Sequence, residues 1–131
     1  MLQRPAVVAA LAAVALAGCG GEPDGRDDPA DQVRAVVAAY LGALEDGQWE
    51  RACAMMTAAA RGDVEDAAGR ACARALASGA VLSDAELGTA LRQVPGADVR
   101  IRDATATVGP LGDLPDALRL RRQDGRWRID G

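Results

Sequence analysis

The alternation of apolar and polar positions divides the chain into four stretches. Residues 6–17 are all apolar, whereas residues 20–28 consist of Gly, Pro, Arg and acidic residues, with no large apolar side chain. From there to about residue 91 the apolar positions recur at helical spacing, and from Val99 they alternate with polar positions as in strands. Helices followed by strands predict an α+β domain over residues 29–131, in which the helices pack on one face of an antiparallel sheet.

The first helix has the clearest pattern. Asp28 is placed to cap its amino terminus and Pro29 to occupy its first position. Apolar side chains then follow at three- and four-residue intervals along one face, namely Val33, Val36, Val37, Tyr40, Leu41 and Leu44. The pair Asp46-Gly47 ends this pattern, so the helix is expected to stop there.

Further helices are expected up to about residue 91. The second runs from about Trp49 to Arg61 and ends at Gly62, and the third begins with Asp63 as its cap and ends before Gly79. A capping-box pattern, Ser83 followed by Glu86, then predicts a short fourth helix from Asp84 to Leu91. The preceding residues 80–82 are also compatible with the start of a strand.

Four short antiparallel strands account for the rest of the chain. Val99 and Ile101 alternate with arginines, and the turns Asp103-Ala104 and Asp124-Gly125 are short enough to join neighbouring antiparallel strands. The expected strands lie around residues 99–102, 105–108, 117–122 and 126–129.

The composition removes several kinds of chemistry. The chain has no Lys, Asn, Phe or His, and all 15 basic residues are Arg, a bias typical of a GC-rich genome. Without His and Lys, the commonest general base, the commonest metal ligand and the Schiff-base amine are missing. After Cys19 there are 14 arginines against 19 acidic residues, a formal charge of −5. Such a chain lacks the basic surface that nucleic acid requires, and its net charge does not draw it to an anionic membrane.

The amino terminus is typical of a secretion signal. A short basic segment ending at Arg4 precedes twelve apolar residues, which are too few to cross a bilayer, since that takes about 20. The next tetrapeptide, Leu16-Ala17-Gly18-Cys19, resembles the lipobox of bacterial lipoproteins. That resemblance implies that residues 1–18 are removed and that the Cys19 thiol carries a diacylglyceryl group with fatty acyl chains such as palmitate. Residues 19–28 are then expected to form a flexible tether.

The number of cysteines favours lipidation over simple secretion. Ala15-Leu16-Ala17 is also a site that an ordinary signal peptidase can cut, but cleavage there leaves three cysteines in an oxidising compartment. Lipidation of Cys19 leaves Cys53 and Cys72, which are expected to form a disulfide. Buried free thiols are the alternative, and two cysteines without His cannot complete a tetrahedral metal site. The expected location is the extracytoplasmic face of the cell membrane, with the lipid on Cys19 as the membrane contact.

The order of elements resembles the NTF2-like (cystatin-like) superfamily, and more narrowly the small actinobacterial lipoproteins that carry such a domain. The resemblance rests on residues 33–44, the Gly47–Ala52 turn into the second helix, the two cysteines, and the terminal hairpin Leu120–Ile129. It implies a cone of three to four amino-terminal helices packed on a curved antiparallel sheet of about four strands. The superfamily includes isomerases and cyclases beside domains that only bind, so the fold alone does not assign an activity.

Catalytic candidates are few. Enzymes of this superfamily use an Asp base, often assisted by Tyr or His, and the residues that match are Tyr40, Asp46, Asp98 and Asp103. Tyr40 lies on the apolar face of the first helix, and the three aspartates lie at a helix end or beside turns, where Asp is common for conformational reasons. No Ser-His-Asp set or glycine-rich phosphate loop is present in the sequence. No metal or other cofactor is expected.

Arginines are concentrated in the last two predicted strands. Arg119 and Arg121 share one strand face, Arg126 and Arg128 share another, and the hairpin brings the two pairs together. Such a patch binds an anionic ligand or an acidic partner, or protects a sheet edge by its charge. We therefore expect a lipid-anchored, non-catalytic domain that binds a small ligand or an envelope protein. The alternative is a small enzyme that uses a carboxylate base on an apolar substrate.

Overall fold

The computed structural model describes residues 28–78, 82–114 and 116–131. The predicted signal peptide, Cys19, most of the predicted tether and residues 80 and 81 lie outside them. The described chain has five α-helices, a short 3-10 helix and four strands. Their bounds are α1 Pro29–Glu45, α2 Trp49–Ala54, α3 Ala58–Ala68, α4 Cys72–Ala77, α5 Asp84–Gln93, the 3-10 helix Val94–Gly96, β1 Val99–Arg102, β2 Thr105–Val108, β3 Leu118–Gln123 and β4 Arg126–Ile129.

The predicted α+β class is confirmed. The four strands form a curled, unclosed antiparallel sheet in the order β1-β2-β3-β4, and α1 packs against β1, β2 and β4. The helix count is five, not three to four. The α1 helix begins as predicted, because an Asp28 carboxylate oxygen accepts a hydrogen bond from the Ala30 amide at 2.9 Å and Pro29 occupies the first turn.

The predicted second and third helices had the wrong bounds. The chain leaves helix at Met55–Thr57, runs through Gly62 and Asp63 as part of α3, and stops at Gly69, which adopts a positive φ of 62°. The interruption arises from long-range bonding. The Thr57 amide donates to the Ile129 carbonyl at 2.8 Å, and the Ile129 amide donates to the Met55 carbonyl at 2.9 Å. Because these backbone groups are hydrogen-bonded to β4, they cannot form the hydrogen bonds that would continue a helix.

Thr57 fixes this junction with its side chain. It is 2% exposed, and its hydroxyl oxygen accepts from the Ala60 amide at 3.1 Å, which caps α3. The same hydroxyl donates to the Asp130 carboxylate at 2.7 Å. The start of α3 is therefore tied to the residue that follows β4.

The fourth predicted helix is confirmed as α5. The Ser83 hydroxyl accepts from the Glu86 amide at 3.3 Å, and the Ser83 amide donates to the Glu86 carboxylate at 2.7 Å, which completes the capping box. The hydrogen bond from the Ser83 amide, followed by that from its hydroxyl, lowers the pKa of Glu86 because both favour its carboxylate. Helix α5 runs two residues beyond the predicted Leu91.

Small and aliphatic side chains make up most of the core. Leu41, Leu111 and Leu120 are its largest fully buried members. Alanines fill much of the remaining space, at positions 43, 52, 60, 75, 90, 97 and 106. Trp127 adds an aromatic ring from β4, at 8% exposure. A core with so few large side chains depends strongly on each of them.

Two of the cysteines join two short helices, α2 and α4. The Cys53 and Cys72 sulfur atoms are 2.07 Å apart, at disulfide distance, and the bond joins α2 to α4. Both residues are buried. The cross-link therefore fixes α4 against α2, the helix that precedes the interruption at Met55–Thr57.

Candidate functional site: the arginine face

The register of the sheet brings arginines from three strands onto one surface. Arg102 of β1 lies opposite Thr105 of β2, which lies opposite Arg121 of β3, which lies opposite Arg128 of β4. A second row places Arg100 opposite Thr107, which lies opposite Arg119. Directly paired residues point to the same side of a sheet, so all of these side chains share one face.

This surface is the outer side of the sheet, away from the helices. Its residues are exposed or half-buried, whereas those that alternate with them, such as Val108, Leu120 and Trp127, are buried against the helical layer. We define the arginine face by six arginines and the two threonines between them. They are Arg100, Arg102, Arg119, Arg121, Arg126, Arg128, Thr105 and Thr107.

Carboxylates neutralise only part of this charge. Arg121 lies 3.4 Å from the Asp130 carboxylate and Arg100 lies 3.3 Å from that of Asp98. Arg128 donates to the Ala54 carbonyl at 2.9 Å. The other three arginines of the face form no ion pair within 4.0 Å in the described part of the chain; they are Arg102, Arg119 and Arg126. Exposed pairs such as these contribute little to stability, so the fold does not need this concentration of cations.

A shallow trough runs along β2 in the middle of the face. Thr105 and Thr107 are shorter than the arginines on either side, and a depression of about 250 Å³ lies over β2, lined also by Arg100 and Arg102. Arg119 and Arg121 of β3 lie opposite the two threonines on the other side of β2, outside the lining of the depression. Arginines on the two sides of β2 are about 10 Å apart at their Cα atoms, and those along one strand are about 7 Å apart. Guanidinium groups at these spacings can reach one anionic group from two sides.

Sequence reasoning identified four of the six arginines. It predicted that the hairpin brings Arg119 and Arg121 together with Arg126 and Arg128. In the β3–β4 register Arg121 lies directly opposite Arg128, whereas Arg126 lies opposite Gln123. Sequence reasoning missed Arg100 and Arg102, because their place depends on the register of β1, β2 and β3 together. The alternation of Val99 and Ile101 with these arginines was the available signal.

A second, larger depression lies on the helical side. A groove of about 670 Å³ runs between the α1–α2 turn and α4. Trp49, Ala73 and Ala77 supply apolar surface, and the charged residues around it are two arginines and one glutamate, namely Arg51, Arg74 and Glu50. Its chemistry suits a small ligand with an apolar body and an acidic group. The nearby disulfide joins the two helices that form it.

The catalytic candidates do not converge. Tyr40 is buried in the core at 6% exposure, whereas Asp46, Asp98 and Asp103 are exposed and lie on separate elements. Among residues 28–78, 82–114 and 116–131, Thr57 and Tyr40 are the buried residues with a side-chain hydroxyl, and no Asp, Glu or Arg is buried. Within the same residues, no group of three or more His, Cys, Asp or Glu side chains could hold a metal ion.

Burial changes the pKa of Tyr40. Desolvation raises its pKa from 10.0 to about 12, because burial disfavours the phenolate. The folded protein therefore holds this proton more tightly than the unfolded chain does. The resulting stability is fully present below pH 10 and is lost as the pH rises from 10 through about 12.

Alkaline titration should show this shift directly. Tyr40 is the only tyrosine, so the near-ultraviolet absorbance of phenolate reports on one group. We expect a midpoint near pH 12 for the native protein and near the ordinary value of 10.0 in urea. A native midpoint equal to that of the urea-unfolded chain would contradict the buried placement of the phenol.

Comparisons with protein-family models, with curated proteins and with solved structures found no match to this chain. In the part of the chain that the structure describes, no helix combines the length and the apolar character needed to cross a membrane.

Proposed function

We propose that this protein is an exported lipoprotein, anchored to the cell membrane through Cys19, whose non-catalytic NTF2-like domain binds an anionic partner through the arginine face. The observation that carries the binding proposal is the register, which aligns arginines of β1, β3 and β4 on one exposed surface. Clustered guanidinium groups recognise carboxylates and phosphates with good geometry, which makes such a surface suited to binding.

The lipid anchor rests on the sequence. The apolar run of residues 6–17 has the length of a signal peptide, and Leu16-Ala17-Gly18-Cys19 follows it directly. The position of the other two sulfurs, at disulfide distance from each other, supports this proposal, since they leave Cys19 as the odd thiol. A diacylglyceryl group supplies two acyl chains, which is enough for stable anchoring.

The NTF2-like assignment draws its support from the order of elements. Helices precede a four-stranded antiparallel meander, and α1 packs against the sheet. The enzyme alternative requires an acidic side chain inside the cone. The described residues give it no support, because their acidic side chains are not buried. Binding is therefore the stronger proposal.

Detergent partitioning tests the anchor. The full chain, expressed in a bacterial host, is expected to enter the detergent phase, and globomycin is expected to block its processing. The Cys19→Ser variant should move to the aqueous phase, while the matched Cys53→Ser/Cys72→Ser variant should stay in the detergent phase. If globomycin does not affect processing and the protein is released in water-soluble form, the proposed lipid anchor is wrong.

A further inference from the structure

The arginine face is basic although the chain after Cys19 is acidic. Residues 28–96, which form the helices, carry ten acidic side chains against six arginines. Residues 97–131 carry seven arginines against six aspartates. Six of those arginines lie on the outer side of the sheet, where Asp98 and Asp130 are their carboxylate partners. The two sides of the domain therefore differ in the sign of their charge.

At physiological salt a nearby surface responds to the local charge and not to the net charge. Charges are screened over about 8 Å, which is less than the thickness of the domain. An anionic membrane thus attracts the arginine face and repels the helical side. The net charge alone predicts no attraction to the membrane. Because the fold places its arginines on one face, that face is expected to be attracted.

The anchor point allows the same orientation. Arg34 of α1 donates to the Ala97 carbonyl from two guanidinium nitrogens, at 3.1 and 3.2 Å, so the amino-terminal part of α1 lies beside the start of β1. Cys19 and Asp28 are nine residue steps apart, a distance of at most about 32 Å when the chain is fully extended. A domain held this closely meets the bilayer continually, and its attachment beside β1 lets the arginine face turn toward the lipid.

We infer that the arginine face lies on the phosphate groups of anionic phospholipids in the membrane to which the chain is anchored, an inference that rests on the proposed lipid anchor. The trough along β2 receives headgroup phosphates between Arg100 and Arg102 on one side and Arg119 and Arg121 on the other. The anchor keeps the local lipid concentration high, so weak individual contacts are sufficient. Lipid binding then fixes the orientation of the domain and turns the groove beside Trp49 away from the membrane.

Arginine footprinting tests this orientation. The full lipidated protein is reconstituted into vesicles of phosphatidylcholine alone or mixed with phosphatidylglycerol, and its arginines are modified with phenylglyoxal and mapped by mass spectrometry. We expect Arg102, Arg119 and Arg126 to react about fivefold more slowly in the phosphatidylglycerol vesicles, with the difference abolished by high salt. Arg61 and Arg70, which are exposed on α3 and after it, should react equally in both.

Two variants that remove the same number of charges distinguish an effect of the arginine face from an effect of net charge. In R102Q/R119Q/R126Q the remaining Arg100, Arg121 and Arg128 should be labelled at the same rate in both kinds of vesicle. In R61Q/R70Q/R74Q, which removes the same charge from the helical side, protection should persist. All six substituted side chains are exposed, so both variants are expected to keep the melting temperature of the parent protein.

The lipid anchor and the lipid contact of the arginine face are tested by different outcomes. A protein that does not float with phosphatidylcholine vesicles lacks the anchor, which overturns the proposed function. A protein that floats but shows equal labelling in both vesicles lacks lipid contact at the arginine face, which overturns this inference alone. Protection by soluble inorganic phosphate or by polyglutamate, without protection by phosphatidylglycerol, would assign the face to a free anion or an acidic protein and also overturn it.

Discussion

Replacing Cys53 and Cys72 together with alanine is expected to lower the free energy of unfolding by about 3 kcal/mol. The bond closes a loop with a sequence separation of 19, and a loop of that length accounts for about this much in the chain-entropy model. For a domain of about 100 residues the corresponding fall in melting temperature is roughly 12–24 °C. Urea and thermal unfolding, in a Cys19→Ser background that removes the third thiol, measure both quantities.

Reduction provides the matching control. A reducing agent should destabilise the protein with its native Cys53 and Cys72 to the same extent as the double substitution, and should leave the double variant unchanged. If the reducing agent leaves the urea midpoint of the native pair where it was, then the two sulfurs are not bonded in solution. Because the two residues are buried, alanine keeps most of the apolar contact and the difference reports mainly on the cross-link.

Leu41→Ala is expected to lower the free energy of unfolding by about 2–5 kcal/mol. Leu41 is 1% exposed on the buried face of α1, and the alanines around the core cannot extend into the cavity that its removal leaves. Typical domains are stable by about 5–15 kcal/mol, so this loss would bring the protein close to unfolding at ordinary temperature. Urea unfolding of the variant measures the difference.

Leu91→Ala is the matched control for that variant. It removes the same atoms from a helix, so the change in helix propensity is equal, but Leu91 is only half-buried on α5. We expect it to lose markedly less stability than Leu41→Ala. Equal losses from the two variants would mean that burial along α1 is not what stabilises the domain.

Features that depend on neighbouring residues could be predicted from the sequence. The Asp28 cap, the start of α1, the Ser83–Glu86 capping box and the turns around Asp103 and Asp124 each involve residues within four positions of one another. Both turn aspartates adopt a positive φ, which Asp tolerates better than most residues. Local hydrogen bonds decide these structures, so the local sequence is sufficient.

The break between α2 and α3 could not be predicted in this way. Residues 49–61 have a helical pattern, and Gly62 followed by Asp63 has the form of a helix boundary. The boundary lies earlier because the backbone at Met55 and Thr57 pairs with Ile129, more than seventy positions away. Gly62 and Asp63 then continue α3. A tertiary contact overrides a local preference here.

The arginine face also has a part that the local sequence predicts and a part that depends on long-range strand pairing. Strand alternation indicated that Arg119 shares a face with Arg121, and Arg126 with Arg128. The joining of these pairs to Arg100 and Arg102 depends on which residue of β2 lies opposite which residue of its neighbours. Slippage of β2 by one position would place its threonines on the inner face. Alternation within a strand cannot supply that register.

The two edges of the sheet differ in how they meet other chains. The segment Met55–Thr57 pairs with Ile129 and covers the β4 edge, so β1 is the outer strand at the opposite side. Ile101 of β1 is 39% exposed, and an exposed edge strand of this kind invites pairing between copies. Arg100 and Arg102 bring like charges together in any such pair. Arg100 and Arg102 therefore also disfavour edge-to-edge aggregation, which would matter most if copies are crowded on a membrane by the proposed lipid anchor.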